Sequence, residues 1–107
     1  MHKGTIVLVP FPFTDLSGHK VRPALVLFDS KNTEDCIVAF ISSVERDTGL
    51  FDVSIKSSSR NGLKKDSIIK VDKIATLQRK IILGEIGSLE QSYVMFINRK
   101  LKNLFRL

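Results

Sequence analysis

Short apolar runs that end at turn-forming residues fill most of this chain, and they limit it to a mostly β architecture. The segment Thr5–Val9 is apolar and β-branched and is followed by Pro10, a pattern typical of a strand buried on both faces. Between Phe51 and Ile55, apolar and polar residues alternate, which predicts a strand with one buried face. The same reasoning predicts strands at Thr5–Val9, Val21–Phe28, Cys36–Ser42, Phe51–Ile55, Ser67–Leu77 and Lys80–Ile86.

The C-terminal segment has a helical period instead. Its apolar residues recur every three or four positions, and Ser88 followed by Gln91 fits an N-cap with a capping box. We therefore expect one helix over about residues 88–106, packed against a small antiparallel barrel in an α+β, mostly β fold. The apolar positions of this helix are Leu89, Tyr93, Phe96, Ile97, Leu101, Leu104 and Phe105.

The length and the connecting segments indicate one domain. The 107 residues contain no internal repeat and no linker-like stretch, so we expect a single domain over residues 1–107. The polar segments Phe11–His19 and Lys56–Asp66 carry turn residues and are expected to be exposed loops. No apolar run is long enough for a membrane helix and no signal-peptide pattern is present, which predicts a cytoplasmic protein with no membrane partner.

Positive charge is concentrated in the second half of the chain. Residues 1–53 hold five basic and seven acidic side chains, whereas residues 54–107 hold twelve basic and four acidic ones, a net charge of +8. Such an asymmetry favours a polyanionic partner, either nucleic acid or a very acidic protein. A basic face that only keeps the protein soluble is the alternative.

Several kinds of catalytic site are poorly supported by the sequence. The two histidines, His2 and His19, lie far apart and outside any ligand motif, and the acidic residues are scattered, so we expect no metal site. Cys36 begins an apolar strand, which is typical of a buried structural thiol and not of a nucleophile. Glycine-rich nucleotide motifs are missing from the sequence, and we expect no cofactor.

Polar residues at the edges of apolar strands form the remaining candidate site. Arg22 directly precedes the apolar run that begins at Pro23, Ser42 ends another run, and Lys70 and Asp72 lie two apart on a predicted strand, where both would project from one face. A carboxylate base, cations and a hydroxyl donor are the groups that metal-free cleavage of RNA requires. In the competing interpretation, Arg22 and Asp72 form a structural ion pair and Ser42 is an ordinary strand end.

Four sequence segments resemble the PemK/MazF family of type II toxins, in the family's order and spacing. They are Lys3-Gly4-Thr5-Ile6-Val7, Gly18-His19-Lys20-Val21-Arg22-Pro23-Ala24-Leu25-Val26-Leu27, Ile41-Ser42-Ser43 and the run from Lys65 to Leu77. The resemblance implies an SH3-like barrel that forms a homodimer and cleaves single-stranded RNA without metal. It also implies a cognate antitoxin with an acidic, flexible segment.

The resemblance assigns roles to individual residues. Arg22 matches the loop arginine that binds and activates the scissile phosphate, Ser42 matches a hydroxyl residue that contacts this phosphate, and Lys70 and Asp72 match a pair assigned to acid and base. Lys70 stands where some members carry arginine, which leaves the general acid open. Phe11 and Phe13 are candidates for base stacking or antitoxin contacts. The residues expected to bind RNA are His19, Lys20, Ser43, Lys56, Arg60, Lys64, Lys65, Lys73 and Thr76.

Two other functions fit the same sequence. A toxin of this fold that poisons DNA gyrase would not need Arg22, Ser42 and Asp72 to converge. A non-catalytic RNA-binding barrel would bind RNA without Asp72 and would release no cleavage products. Neither the cleavage motif nor the identity of the antitoxin follows from the sequence.

Overall fold

Six antiparallel strands form one sheet in the computed structural model, which describes residues 1–11, 20–43 and 49–107. The sheet has the order β4-β5-β3-β2-β1-β6 and curls into a half-barrel, with one C-terminal helix, so the predicted mostly β class is confirmed. The elements are β1 (Thr5–Phe11), β2 (Lys20–Asp29), β3 (Asp35–Ser42), β4 (Asp52–Ile55), β5 (Ser67–Gln78), β6 (Gly84–Ser88) and α1 (Gln91–Phe105).

Both faces of the central strands are buried, which explains why their sequences are nearly continuous apolar runs. Neighbouring residues of β1, Ile6 and Val7, are both fully buried but belong to different clusters. We call these the helix-side core, which includes Ile97 of α1, and the opposite core. The buried helix-side core comprises Ile6, Leu25, Ala39, Ile41, Val53, Ile55, Leu63, Ile69, Val71, Leu89 and Ile97, and the opposite core comprises Val7, Val9, Ala24, Val26, Cys36, Val38 and Leu77.

The helix begins later than its capping pattern suggests. Glu90 is the N-cap residue and makes no side-chain capping bond, so the prediction that Ser88 caps the helix is wrong. Ser88 instead ends β6, where it pairs with Thr5 and donates its backbone N–H to the carbonyl of Arg60 at 2.9 Å. The pattern misleads because Ser88 is extended at the end of β6, where the carbonyl of Arg60 accepts its backbone N–H.

The predicted strand Lys80–Ile86 is only partly correct. Its first residues fall in a 3₁₀ turn, Arg79–Ile81, and the strand lies further along the chain at Gly84–Ser88. The guanidinium of Arg79 donates to Asp29 at 2.8 Å and to backbone carbonyls of the turn between β2 and β3. These bonds fix the chain where it leaves β5. The apolar residues that follow β5 therefore pack against the opposite core without pairing in a strand.

The segment Lys56–Asp66 is built around a buried residue, although its polar sequence predicts an exposed loop. Asn61 is fully buried, and its side-chain oxygen accepts the backbone N–H groups of Ser58 and Leu63 at 3.0 and 3.1 Å. Its amide nitrogen donates to the carbonyl of Lys56 at 2.9 Å and to Glu90 at 3.2 Å. The hydroxyl of Ser58 donates to the same carboxylate at 2.8 Å. The segment is therefore fixed to the start of α1.

Strand β6 passes so close to this segment that one glycine has no room for a side chain. A Cβ at Gly87 would lie 2.4 Å from the carbonyl oxygen of Arg60, whereas one at Gly84 on the same strand would meet nothing within 4 Å. We expect Gly87→Ala to lower the free energy of unfolding by about 2–3 kcal/mol, because backbone must move to admit the methyl group. Gly84→Ala is the control and should change it by less than about 0.5 kcal/mol. Urea unfolding measures both, and equal losses would contradict the close approach.

The Glu90 carboxylate makes the stability of this region depend on pH. Burial by itself would raise its pKa, but hydrogen bonds from Ser58, from its own backbone N–H and from Asn61, together with the charge of Arg60, lower the pKa below the usual value. A lowered folded-state pKa stabilises the protein above the unfolded-state pKa, and this contribution is lost as the pH falls through the folded-state value.

We therefore expect the wild-type protein to lose more stability than Glu90→Gln when the pH is lowered from 6 to 3. At pH 7 the variant should be the less stable protein, because an amide replaces one charged acceptor. Urea unfolding at several pH values checks this. Glu85→Gln, at a carboxylate outside this network, is the control. Parallel curves for the wild type and Glu90→Gln would contradict the assignment.

Candidate functional site

Three neighbouring strands bring Arg22, Ser42 and Lys70 to one face of the sheet. Phe40 of β3 pairs with Ala24 of β2 on one side and with Lys70 of β5 on the other. Directly paired residues share a face, and so do residues two apart in a strand. Arg22 therefore lies on the same face as Ala24, and Ser42 on the same face as Phe40 and Lys70. Because Phe40 pairs with Ala24, all of them share one face, which is that of the opposite core. Pairing across strands explains why residues distant in sequence converge here.

Arg22 lies against an aromatic ring and not against a carboxylate. Its guanidinium carbon is 5.9 Å from the centre of the Phe11 ring, and this ring meets Phe40 edge-on, with centres 5.9 Å apart and planes at 77°. Arg22 and Asp72 are both among the described residues, and no ion pair joins them. A guanidinium that lies over a ring and forms no ion pair with a carboxylate retains N–H donors for a phosphate group.

Lys70 forms an ion pair that the sequence analysis missed. Its ammonium lies 3.0 Å from a carboxylate oxygen of Asp52, which is the residue directly paired with it in β4. The Asp52 side chain is only 4% exposed, whereas that of Lys70 is 35% exposed. The backbone N–H of Gly49 donates to the same carboxylate oxygen at 2.8 Å. In the sequence, Asp52 is only a polar residue in a strand where apolar and polar residues alternate. Its contact with Lys70 becomes evident only from the register of β4 against β5.

Local charges keep Asp52 ionised. Burial by itself would raise its pKa, but the hydrogen bonds from Gly49 and Lys70 and the positive charges of Lys70 and Lys100 lower the pKa below its ordinary value. The site therefore contains a carboxylate that is charged, largely buried and already paired with a cation.

Asp72 lies in an irregular part of β5. The pairing of β3 with β5 passes from Ala39–Ile74 to Phe40–Lys70, so three residues of β5 lie between adjacent residues of β3. Val71 belongs to the helix-side core, while Asp72 and Lys73 are exposed. The expectation that Asp72 projects beside Lys70 assumes a regular strand, and the ladder is not regular here. Among the described residues, no ion pair joins Asp72 to Arg22 or Lys70, and the ion pair of Lys70 is with Asp52.

The expected RNA-binding residues do not all lie on one surface. Lys56, Arg60, Lys64 and Lys65 are exposed on the segment that Asn61 fixes, and Lys20 is exposed at the start of β2. Ser43, Lys64 and Lys65 line a cleft of about 380 Å³ together with Val21 and Pro23, which lie on the other face of β2 from Arg22. Thr76 pairs with Ile37, which lines a groove beside α1, so it lies on the other face of the sheet from Arg22. His19 lies outside the described residues.

Other chemistry finds little support in the described part of the chain. Residues 1–11, 20–43 and 49–107 contain no group of three or more His, Cys, Asp or Glu side chains that could hold a metal ion. Cys36 is fully buried, and burial together with the charges of Asp29 and Asp35 raises the pKa of its thiol, although Arg79 opposes this. Within the same ranges, no helix has the length and apolar character needed to span a bilayer.

The whole chain matches one protein family. The model of the PemK-like, MazF-like toxins of type II toxin-antitoxin systems matches residues 2–105, so the chain belongs to this family and is the toxin component of such a system. A search of curated protein sequences returns no match.

Solved structures share its fold at low sequence identity. An endoribonuclease from a mycobacterial species, in complex with its cognate antitoxin, has a TM-score of 0.79 at 19% identity, covering 100% of this chain and 96% of that one. The Mycobacterium tuberculosis toxin MazF-mt6 has a TM-score of 0.77 at 23% identity, covering 96% and 97%. MazF from Deinococcus radiodurans has a TM-score of 0.79 at 17% identity, covering 100% and 97%. These similarities establish the fold.

Proposed function

We propose that this toxin is a metal-independent endoribonuclease that cleaves single-stranded RNA in the cytoplasm. The observation that carries the proposal is the convergence of Arg22, Ser42 and Lys70 on one face of three neighbouring strands. The endoribonuclease activity of structural relatives supports the same conclusion. Two cations and a hydroxyl group beside one another form a site for a phosphate that gains negative charge during reaction.

The proposed reaction is transesterification within the RNA. A carboxylate removes the proton of a ribose 2′-OH, the 2′-oxygen attacks the adjacent phosphorus, and the bond from phosphorus to the 5′-oxygen breaks. The leaving 5′-oxygen takes up a proton, which gives a 2′,3′-cyclic phosphate and a 5′-OH. Arg22 and Lys70 stabilise the negative charge on the oxygens of the pentacovalent phosphorane, and Ser42 donates a hydrogen bond to a phosphate oxygen. Asp72 is the proposed base, and its exposure leaves it accessible to substrate.

Two further features of the surface suit a single strand of RNA. The fixed segment Lys56–Asp66 presents exposed lysine and arginine side chains without the entropic cost of ordering a flexible loop. Phe11 is 43% exposed beside Arg22 and offers an aromatic face for a base. Backbone contacts and stacking together are the usual means of holding single-stranded nucleic acid.

We further propose a homodimer inhibited by an acidic antitoxin segment. The net charge of +8 in residues 54–107 attracts RNA and acidic peptide alike, so one would displace the other. A two-fold axis would join two copies of this small basic surface into a longer groove. Structural relatives have been solved with their antitoxins, including a complex of MazE with MazF from Deinococcus radiodurans.

The role of Arg22 can be tested with a matched control. We expect Arg22→Ala to lower the rate of RNA cleavage by about 10²–10³-fold, because one charge-assisted contact to the transition state is lost. Arg99 of α1 lies over the Phe96 ring at 5.6 Å, so Arg99→Ala removes a similar arginine–aromatic contact away from the site. This control should leave cleavage unchanged. Both variants should fold, as checked by circular dichroism, and a folded, fully active Arg22→Ala protein would contradict the proposal.

The reaction chemistry can be tested with modified RNA. Once primer extension has mapped a cut site on a long RNA, an oligonucleotide with a single 2′-deoxy substitution there should resist cleavage, because it lacks the nucleophile. The unmodified oligonucleotide should yield a 2′,3′-cyclic phosphate and a 5′-OH, as read by mass spectrometry, at the same rate with excess chelator. Cleavage of the deoxy substrate would overturn the mechanism. Intact RNA throughout would favour a gyrase poison or a non-catalytic RNA-binding protein.

A further inference from the structure

The ion pair between Asp52 and Lys70 joins a buried group to an accessible one. The Lys70 side chain is 35% exposed on the face that carries Arg22 and Ser42, so its ammonium can reach a bound phosphate. The Asp52 side chain is 4% exposed, and its interacting oxygen already accepts two hydrogen bonds. RNA therefore has access to Lys70 but not to Asp52.

Asp52 is itself held in place by its surroundings. Its backbone N–H donates to the carbonyl of Gly49 at 3.2 Å, and its carboxylate accepts the N–H of the same residue, which closes a tight turn. The ammonium of Lys100 on α1 donates to the carbonyl of Leu50 at 2.7 Å, and the N–H of Val71 donates to the carbonyl of Phe51 at 3.1 Å. The helix and β5 thus both fix the turn that carries the carboxylate.

A lysine side chain needs such a partner if it is to act at one position. Ordering its four rotatable bonds costs conformational entropy, and a cation stabilises a transition state best when it is already oriented. An ion pair this exposed on the lysine side adds little to folding stability, because solvent screens it. The main effect of this ion pair is therefore to fix the position of the lysine ammonium, and its contribution to folding stability is secondary.

We propose that Asp52 is a positioning residue of the cleavage site, which holds the Lys70 ammonium at the scissile phosphate without touching the RNA. This inference rests on the proposed function. It gives Lys70 the role of a fixed positive charge beside Arg22, with its position set by β4. It also gives the two carboxylates different roles, because the accessible Asp72 is the candidate base and the buried Asp52 orients the cation.

A double-mutant cycle tests whether Asp52 acts through Lys70. The four proteins are the wild type, Asp52→Asn, Lys70→Met and the double variant, each assayed for kcat and KM on an RNA oligonucleotide with one mapped cut site. Asparagine retains an oxygen for the Gly49 N–H and removes only the charge. Lys70→Met should lower kcat about 100-fold by removing the cation. Asp52→Asn should lower kcat about tenfold through loss of position, with KM unchanged or reduced because one negative charge is lost.

The double variant distinguishes positioning from a general structural effect. If Asp52 acts through Lys70, the double variant should match Lys70→Met within about twofold, because no ammonium remains to be positioned. If the double variant instead loses kcat by the product of the two single fold-losses, Asp52 acts independently of Lys70. This result would overturn the inference but not the proposed nuclease activity. Ser54→Ala, at an exposed residue two positions along β4, is the control and should have wild-type kcat.

Two further outcomes are informative. If Asp52→Asn does not fold, Asp52→Glu retains the charge and should have a kcat between those of the wild type and Lys70→Met. A kcat as low as that of Lys70→Met, with wild-type unfolding in urea, also fits a misplaced cation. A wild-type kcat would overturn the inference. If the wild-type protein itself leaves every RNA intact, the proposed function fails, and the assignment of Asp52 fails with it.

Discussion

The pairing of β3 with β5 is the constraint on which the rest of this structure depends. These are the second and third strands of the six-stranded order, and their ladder continues from Asp35–Gln78 to Ser42–Ile68. Three extra residues of β5 are accommodated within it, between Lys70 and Ile74. The ladder sets which side chains share a face with Lys70, and the irregularity places Asp72 at an exposed position outside regular pairing. Since a slip by one residue would exchange the two cores, burial on both faces fixes this register.

Much of the fold follows from the sequence because the signals are local. The apolar runs that became β1, β2 and β3 could be recognised individually, since a strand buried on both faces leaves a short continuous apolar stretch. The heptad-like spacing of Tyr93, Ile97, Leu101 and Leu104 likewise indicates α1 on its own. The convergence of Arg22 and Ser42 also follows, because Arg22 lies near the start of β2 and Ser42 ends β3. Antiparallel pairing of two successive strands brings these two ends together.

The residues that could not be predicted depend on contacts between distant segments. Asn61 belongs to a stretch with the composition of an exposed loop, and its burial depends on hydrogen bonds that include one to the distant carboxylate of Glu90, at the start of α1. The cap at Ser88 failed for a related reason, because pairing with β1 competes with the local capping pattern and prevails. Asp52 carries no signal of its own, since its importance comes from Lys70, the residue paired with it in the neighbouring strand β5.

The two ends of the described fold meet, and this has a consequence for the synthesis of the protein. Thr5 pairs with Ser88, and the N–H of Leu89 donates to the carbonyl of Gly4 at 2.8 Å, so β1 gains its second neighbour only from β6. A nascent chain that ends before β6 has an unpaired edge at β1 and lacks the helix that covers Ile6 and Leu25. Closing contacts between such distant segments is slow and follows translation of the C-terminal residues. Most of this chain has therefore been synthesised before the complete fold can form.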